Sequence, residues 1–183
     1  MSARSAVLEW GRERARVGRW RGDGPVALLS PANDGPLPSA SFVRRCLERL
    51  ADDGYTSVVT PALTPVEQTP FLAAGFEEQE RLRLLTHDLS HLAPVPDVPL
   101  RRALDGDWPA VLAVDAASFS PFWRLDDWSL QEALDATPAS RFRVSTGGRG
   151  QVAGYAVCGR TQRRGYVQRL AVGPAWRGPP PTA

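Results

Sequence analysis

Apolar residues recur every three or four positions between Ser41 and Gly54, and arginine and glutamate fill many of the positions between them. This period is typical of a helix that buries one face. We expect the helix to begin at Ser41, whose hydroxyl suits an N-cap, and to end at Asp53 and Gly54. The same reasoning predicts three more helices, over residues 65–74, over residues 107–119 with Asp107 as the cap, and over residues 128–134.

Short apolar runs bounded by glycine or proline predict strands. They cover residues 26–29, 55–60, 99–103, 142–145, 152–158 and 166–172. Residues 76–89 alternate between apolar and polar positions and predict one or two further strands. Residues 1–24 are expected to form a short helix and strand or to remain irregular. Gly147, Gly148 and Gly150 predict a hairpin turn between two of the strands.

Three prolines within residues 93–99 predict a stiff linker. The length of the chain suits one domain, or one and a half small ones. We therefore divide it into residues 1–92, a linker over residues 93–99, and residues 100–183.

Charge is distributed unevenly along the chain. All 22 basic residues are arginine, and the formal net charge is +2. Such a nearly neutral total argues against a nucleic-acid-binding protein. No Asp or Glu follows Asp135, whereas eight arginines do: Arg141, Arg143, Arg149, Arg160, Arg163, Arg164, Arg169 and Arg177. This region suits a phosphorylated cofactor, an acidic partner or nucleic acid, and equally a solvated face whose acidic counterpart lies in the first half.

Residues that could form a metal or redox site are few. Cys46 and Cys158 lie in apolar patterns without metal-binding spacing, so buried free thiols are expected. His87 and His91 are four residues apart, but they lie at a predicted strand end without a third ligand nearby, so no metal site is expected. No apolar stretch resembles a signal peptide or could cross a membrane, which favours a cytoplasmic protein.

The most specific motif lies in residues 165–178. A predicted strand ends in Leu170, Ala171 and Val172, and Pro174 and Arg177-Gly178 follow it. The run resembles the motif Leu-Ala-Val-x-Pro-x-x-Arg-Gly-x-Gly-x-Gly/Ala of the GNAT superfamily of acyl-CoA-dependent N-acetyltransferases, as far as Gly178. The resemblance implies an α/β fold with a mixed, mostly antiparallel sheet flanked by helices. It also implies acetyl-CoA as the donor and an amine as the acceptor.

The two halves of the chain resemble different halves of that family's domain. The predicted element order of residues 100–183 resembles its N-terminal half, and residues 1–92 resemble a degenerate C-terminal half. Within the latter, the run Phe-Leu-Ala-Ala-Gly-Phe at residues 71–76 resembles the family's Tyr-x-x-x-Gly-Phe stretch. The fold is therefore expected to be incomplete or formed from two half-domains. Two accounts stay open: a truncated transferase, or halves that dock so that residues 55–60 pair near residues 166–172.

The resemblance also assigns roles to residues. The backbone of Leu170, Ala171 and Val172 would bind the cofactor as an added strand would, and Arg177 and Gly178 would begin the pyrophosphate loop. Trp123 and Asp126 lie on the loop that would shape the acceptor pocket. Tyr155 and Tyr166 are candidates for binding or proton relay, although strand tyrosines more often pack with a tethered hydroxyl. The sequence identifies no general base.

The motif is interrupted after Gly178. Pro180 and Thr182 stand where the family has glycine or alanine, and Pro179, Pro180 and Pro181 have no backbone N–H to offer a phosphate. We therefore expect acyl transfer to be impaired and the pyrophosphate motif to be truncated. The alternative is a non-catalytic remnant or interaction module that pairs through an open sheet edge, either with itself as a homodimer or with a partner chain.

Overall fold

A computed structural model describes residues 6–21, 24–32, 35–92, 94 and 99–178. The chain divides into two compact units, Met1–His91 and Leu92–Ala183. Each unit contains one four-stranded sheet and its own hydrophobic core.

The first unit is a sheet with helices packed against it. Strands β1 to β3 are antiparallel neighbours, and β4 lies parallel to β3 because the chain crosses through α1 between them. The elements are β1 (Ala6–Trp10), β2 (Glu13–Arg19), β3 (Val26–Pro31), α1 (Ala40–Asp52), β4 (Ser57–Val59) and α2 (Pro65–Leu72).

Helix α1 buries the face that its apolar spacing predicted. Phe42, Val43, Cys46 and Leu50 are almost fully buried and belong to one cluster with residues of β2 and β3, and α2 contributes Phe71. Burial of this kind is the main favourable term in folding. The helix is therefore stabilised by its packing on the sheet.

The second unit is an antiparallel meander with two helices. Its strand order is β5-β6-β7-β8. Val111 of α3 and Leu130 of α4 are fully buried and share a cluster with Val144, Tyr155 and Val157. The elements are β5 (Leu100–Arg102), α3 (Trp108–Ser118), α4 (Asp127–Asp135), β6 (Ala139–Thr146), β7 (Val152–Thr161) and β8 (Arg164–Val172), with short 3₁₀ turns at Asp105–Asp107, Pro121–Trp123 and Pro174–Trp176.

The predicted fold class is confirmed in its general form: mixed α/β, with mostly antiparallel sheets and flanking helices. The four predicted helices form, each within a few residues of its expected bounds. The predicted turn at 147–150 also forms. The Gly147 N–H donates to the carbonyl of Gln151, and the Gly150 N–H donates to the carbonyl of Gly147, both at 2.9 Å.

The start of the chain and two helix caps differ from the predictions. Residues 6–19 form a β-hairpin, not a helix and strand. The N-cap of α1 is Ser39, whose hydroxyl accepts the Phe42 N–H at 3.2 Å, while Ser41 lies inside the helix. Asp107 directly precedes α3, as predicted. Its carboxylate, however, accepts hydrogen bonds from Arg101 and from the Leu104 N–H and does not cap the helix.

Residues 76–89 do not form the predicted strands. Leu84 and Leu85 in this segment are 92% and 86% exposed. A strand is stable only when it pairs with a partner edge, and alternation alone does not supply that edge. Among the described residues β4 pairs with β3 and β8 pairs with β7. The docking of residues 55–60 near residues 166–172, one of the two open accounts, stays a prediction.

Candidate functional site

Strand β8, which carries the Leu-Ala-Val motif, lies at an edge of its sheet. Among the described residues its only ladder is with β7. Val167, Leu170 and Val172 share one face of the strand and are 69%, 60% and 40% exposed. Ala171 points to the other face and is buried in the core. The motif therefore combines one core residue with an edge that an extended molecule could pair with.

The chain turns sharply at the end of β8 and is held there by side chains. The Gly173 N–H donates to the carbonyl of Ala153 at 2.8 Å. The ring of Trp176 lies against Gly147, where an added Cβ would come within 2.1 Å of the ring. Gly147 is therefore required for the close approach of the turn at Pro174–Trp176 to the β6–β7 hairpin.

Arg177 folds back onto the strand end. Its Nε donates to the carbonyl of Val172 at 2.9 Å, and the Ser118 hydroxyl donates to the same oxygen at 3.2 Å. The structure thus brings together two of the predicted cofactor residues, Val172 and Arg177. Gly178 is exposed and is the last described residue of the loop.

A buried charged cluster lies beneath the loop that joins α3 to α4. It consists of Asp115, which is completely buried, together with Tyr155 and Arg169. One carboxylate oxygen accepts the Tyr155 hydroxyl at 2.5 Å and the Arg169 Nε at 2.8 Å, and the other accepts the Leu125 N–H at 2.7 Å. Buried charges are tolerated when they are paired and hydrogen-bonded, as this one is.

These contacts determine the charge state of the cluster. Burial raises the pKa of Asp115, but hydrogen bonds from Arg169, Tyr155 and Leu125 outweigh it and leave that pKa below its ordinary value. Burial, followed by the bond to Asp115, raises the pKa of Tyr155. The cluster therefore holds an ionised carboxylate, a guanidinium and a neutral phenol.

The cluster also fixes the position of the α3–α4 loop. Arg169 Nη2 donates to the carbonyl of Trp123 at 2.6 Å, and the guanidinium carbon lies 3.5 Å from the centre of the Phe119 ring. Trp123 itself is half-buried and meets Phe122 edge to face, with ring centroids 5.0 Å apart. One residue of the edge strand thus holds the backbone of the predicted acceptor loop.

The predicted acceptor residue Asp126 and the relay candidates Tyr155 and Tyr166 differ in their hydrogen bonds and exposure. The carboxylate of Asp126 accepts the Ser129 N–H at 2.7 Å and caps α4. Tyr155 is 3% exposed and its hydroxyl is bound to Asp115, which favours the interpretation as a tethered packing residue. Tyr166 is 43% exposed and lines a separate cleft on β8.

Sequence reasoning missed the pairing of Asp115 with Arg169. One signal was available: Asp115 follows Trp108, Val111 and Leu112 at helical spacing, which places a carboxylate on the apolar side of α3. A buried carboxylate needs a partner, and the arginines of the last strands were candidates. The choice of Arg169 depends on the sheet register, which the sequence pattern leaves open.

Within the described residues, no group of three His, Cys, Asp or Glu side chains could hold a metal ion. Burial, with a smaller effect of Glu13, raises the pKa of the Cys46 thiol to about 12, so this cysteine is protonated at neutral pH. None of the helices in the described parts of the chain combines the length and apolar character needed to cross a membrane.

A comparison with solved structures gives a distant likeness. No family profile and no curated protein matches the chain. A solved structure described as a GCN5-related glucosamine N-acetyltransferase region of a fungal multi-domain GH3 beta-N-acetylglucosaminidase is 18% identical, with a TM-score of 0.40. The alignment covers 75% of this chain and 20% of that one. At this identity and TM-score the likeness establishes neither a shared fold nor a family.

Proposed function

We propose that the chain is an N-acetyltransferase-like protein of the GNAT type, which takes an acyl group from acyl-CoA and presents it to an amine, and whose activity is impaired. One observation carries the proposal: an exposed edge strand ends in Leu170-Ala171-Val172 and runs directly into an anchored turn that leads to Arg177. The motif resemblance and the local geometry therefore support the same assignment.

The donor would lie along the open side of β8. Its pantetheine amides would pair with the backbone of Leu170 and Val172, as an added strand does. A backbone N–H of this strand would polarise the thioester carbonyl. Arg177 uses one of its five N–H groups on Val172, which leaves others for a phosphate.

The acceptor amine would approach the α3–α4 loop. Trp123 would offer an aromatic ring to a cation, and Asp126 on the same loop would offer a negative charge. Arg169 supports this arrangement because it binds the Trp123 carbonyl and Asp115 at the same time. A loop held in this way needs little further ordering when a substrate binds.

Impairment follows from the residues after Gly178. Pro179, Pro180 and Pro181 offer no backbone N–H groups at the positions where a pyrophosphate loop needs them. We expect calorimetric titration of the full chain with acetyl-CoA to show weak binding or none. Tight binding by the unaltered chain would contradict the impairment.

A gain-of-binding variant tests the assignment of the donor site. Replacing Pro179→Ala, Pro180→Gly, Pro181→Ala and Thr182→Gly restores the N–H groups and the glycines. Each charge-assisted bond to phosphate contributes about 1.5–3 kcal/mol, so affinity for acetyl-CoA should rise about tenfold or more. Thr182→Gly alone is the matched control, because it leaves all three prolines in place. No gain in the fourfold variant would argue against the acetyltransferase assignment.

A second candidate is a non-catalytic interaction module. It is favoured by the three apolar side chains that β8 exposes at an unpaired edge, Val167, Leu170 and Val172. Such an edge pairs readily with another chain, and we propose edge-to-edge pairing of two copies. Light scattering after size-exclusion chromatography should then give a dimer that Val167→Lys converts to monomer. Leu100→Lys, on the opposite edge of the sheet, is the control, and a monomeric unaltered chain would rule this candidate out.

A further inference from the structure

At one point of the β7–β8 ladder, β8 contains an extra residue. Val157 pairs with Arg169, but the next residue of β7, Cys158, pairs with Val167, so Gln168 has no partner across the ladder. Such a bulge changes the alternation of side chains along a strand. Arg169 reaches Asp115, and Gln168 reaches Thr137 and Gly159, where an added Cβ would lie 2.6 Å from the Gln168 Nε2.

The side chain of Gln168 lines a cleft, which we call the bulge cleft. Its volume is about 420 Å³, within the range of sites that bind small molecules. All seven lining residues are uncharged: Ala136, Thr137, Pro138, Thr161, Tyr166, Val167 and Gln168. A charged ligand would find no counter-charge among these side chains, whereas a neutral one would not need it.

The amide oxygen of Gln168 is buried and accepts no hydrogen bond from the described residues. An unsatisfied buried acceptor destabilises the folded state, so native structures contain few of them, and each calls for an explanation. The hydroxyl of Thr137, which also lines the cleft, donates instead to the carbonyl of Ala139 at 3.0 Å. The acceptor therefore lacks a partner beside a cleft large enough to admit one.

We propose that the bulge cleft binds a small neutral molecule, an amide or a hydroxyl compound, that donates a hydrogen bond to Gln168 Oε1. The ring of Tyr166 and Pro138 supply apolar walls, and the hydroxyls of Tyr166 and Thr161 supply further polar groups. The site shares Tyr166 with the relay candidates and Val167 with the exposed edge, but none of its residues is assigned to acetyl-CoA or to the acceptor loop. The inference does not depend on acyl transfer.

The test uses two probes that differ in one hydrogen-bond donor. N-methylacetamide has an N–H, and N,N-dimethylacetamide has the same carbonyl without it. The side-chain amide signal of Gln168 in the NMR spectrum of the full chain should shift saturably with the first probe and at least tenfold more weakly with the second. Equal response to both probes, or no saturable shift with either, would overturn the proposal.

Two variants separate binding from folding. Gln168→Leu removes the unsatisfied acceptor, so the unliganded protein should unfold at a temperature a few degrees higher, while N-methylacetamide no longer binds. Ala136→Phe fills the cleft and should abolish binding without altering Gln168. Gln131→Leu, at an exposed position of α4, is the control and should retain binding. A lower unfolding temperature for Gln168→Leu, or binding retained in Ala136→Phe, would contradict the site.

Discussion

Arg169 makes three different contacts within the second unit. Arg169 pairs with Asp115, holds the Trp123 carbonyl and lies over the Phe119 ring. Its side chain is 12% exposed, so the pair is largely screened from water. A guanidinium suits this position because its planar fork can serve two acceptors while its face stacks on an aromatic ring.

Replacing Arg169 should therefore be costly. Arg169→Met leaves the Asp115 carboxylate buried without its counter-charge, and breaking a buried pair in this way costs about 3–5 kcal/mol. Urea unfolding followed by fluorescence should detect the loss. In the double variant Asp115→Asn with Arg169→Met, the cost should be smaller than the sum of the two single costs. Additive costs would show that the two residues are not coupled.

The carboxylate of Asp107 should make the stability of the second unit depend on pH. Hydrogen bonds from Arg101 and from the Leu104 N–H lower the pKa of Asp107 to about 2. Its folded pKa is below the ordinary value of about 4, so the stabilisation is present above about pH 4 and is lost as pH falls through about 2. In Asp107→Asn, the free energy of unfolding should decrease less between about pH 4 and pH 2 than it does in the unaltered protein. The neighbouring, exposed Asp105→Asn should leave that fall unchanged.

At the scale of elements, the helices were predictable because their signals are local. The apolar spacing of α1 and the serine before it suffice to place that helix within a residue or two. Strands depend on partners elsewhere in the chain, which explains why the β1–β2 hairpin was missed and residues 76–89 were assigned wrongly. The bulge at Gln168 and the Asp115–Arg169 pair depend on register, which local pattern does not fix.

The capping of α1 can be tested with two neighbouring serines. Ser39→Ala removes the acceptor for the Phe42 N–H and a partner of the Glu13 carboxylate, and should lower stability by about 1 kcal/mol. Ser41→Ala, inside the helix, should change stability by much less, since alanine is the better helix former. Thermal unfolding of the two variants compares them directly. Equal losses would mean that the cap is shared between the two hydroxyls.

At the scale of the whole molecule, each unit has its own core and its own sheet within the described residues. Contacts within a unit should therefore control its local stability. Both proposed functions depend on β8, because the predicted backbone contacts to the donor and the exposed edge are on this one strand.

Core substitutions can test the separation of the two units. Leu50→Ala in the first core should cost about 2–5 kcal/mol there, because it removes a fully packed side chain. Hydrogen exchange should then speed up in β1 to β3 and remain unchanged in β6 to β8. Leu130→Ala should give the reverse pattern. Faster exchange in both sheets after either substitution would show that the units unfold together.

The unpaired residue in β8 has a consequence for how this strand can change in length. Because Val167 and Arg169 face consecutive residues of β7, removing Gln168 would leave every other residue opposite its present partner. Loss of one codon elsewhere in the strand would shift part of the ladder and exchange buried for exposed side chains. The strand can therefore shorten by one amino acid at this point with its pairing intact, and the residue it would lose is the one that lines the bulge cleft.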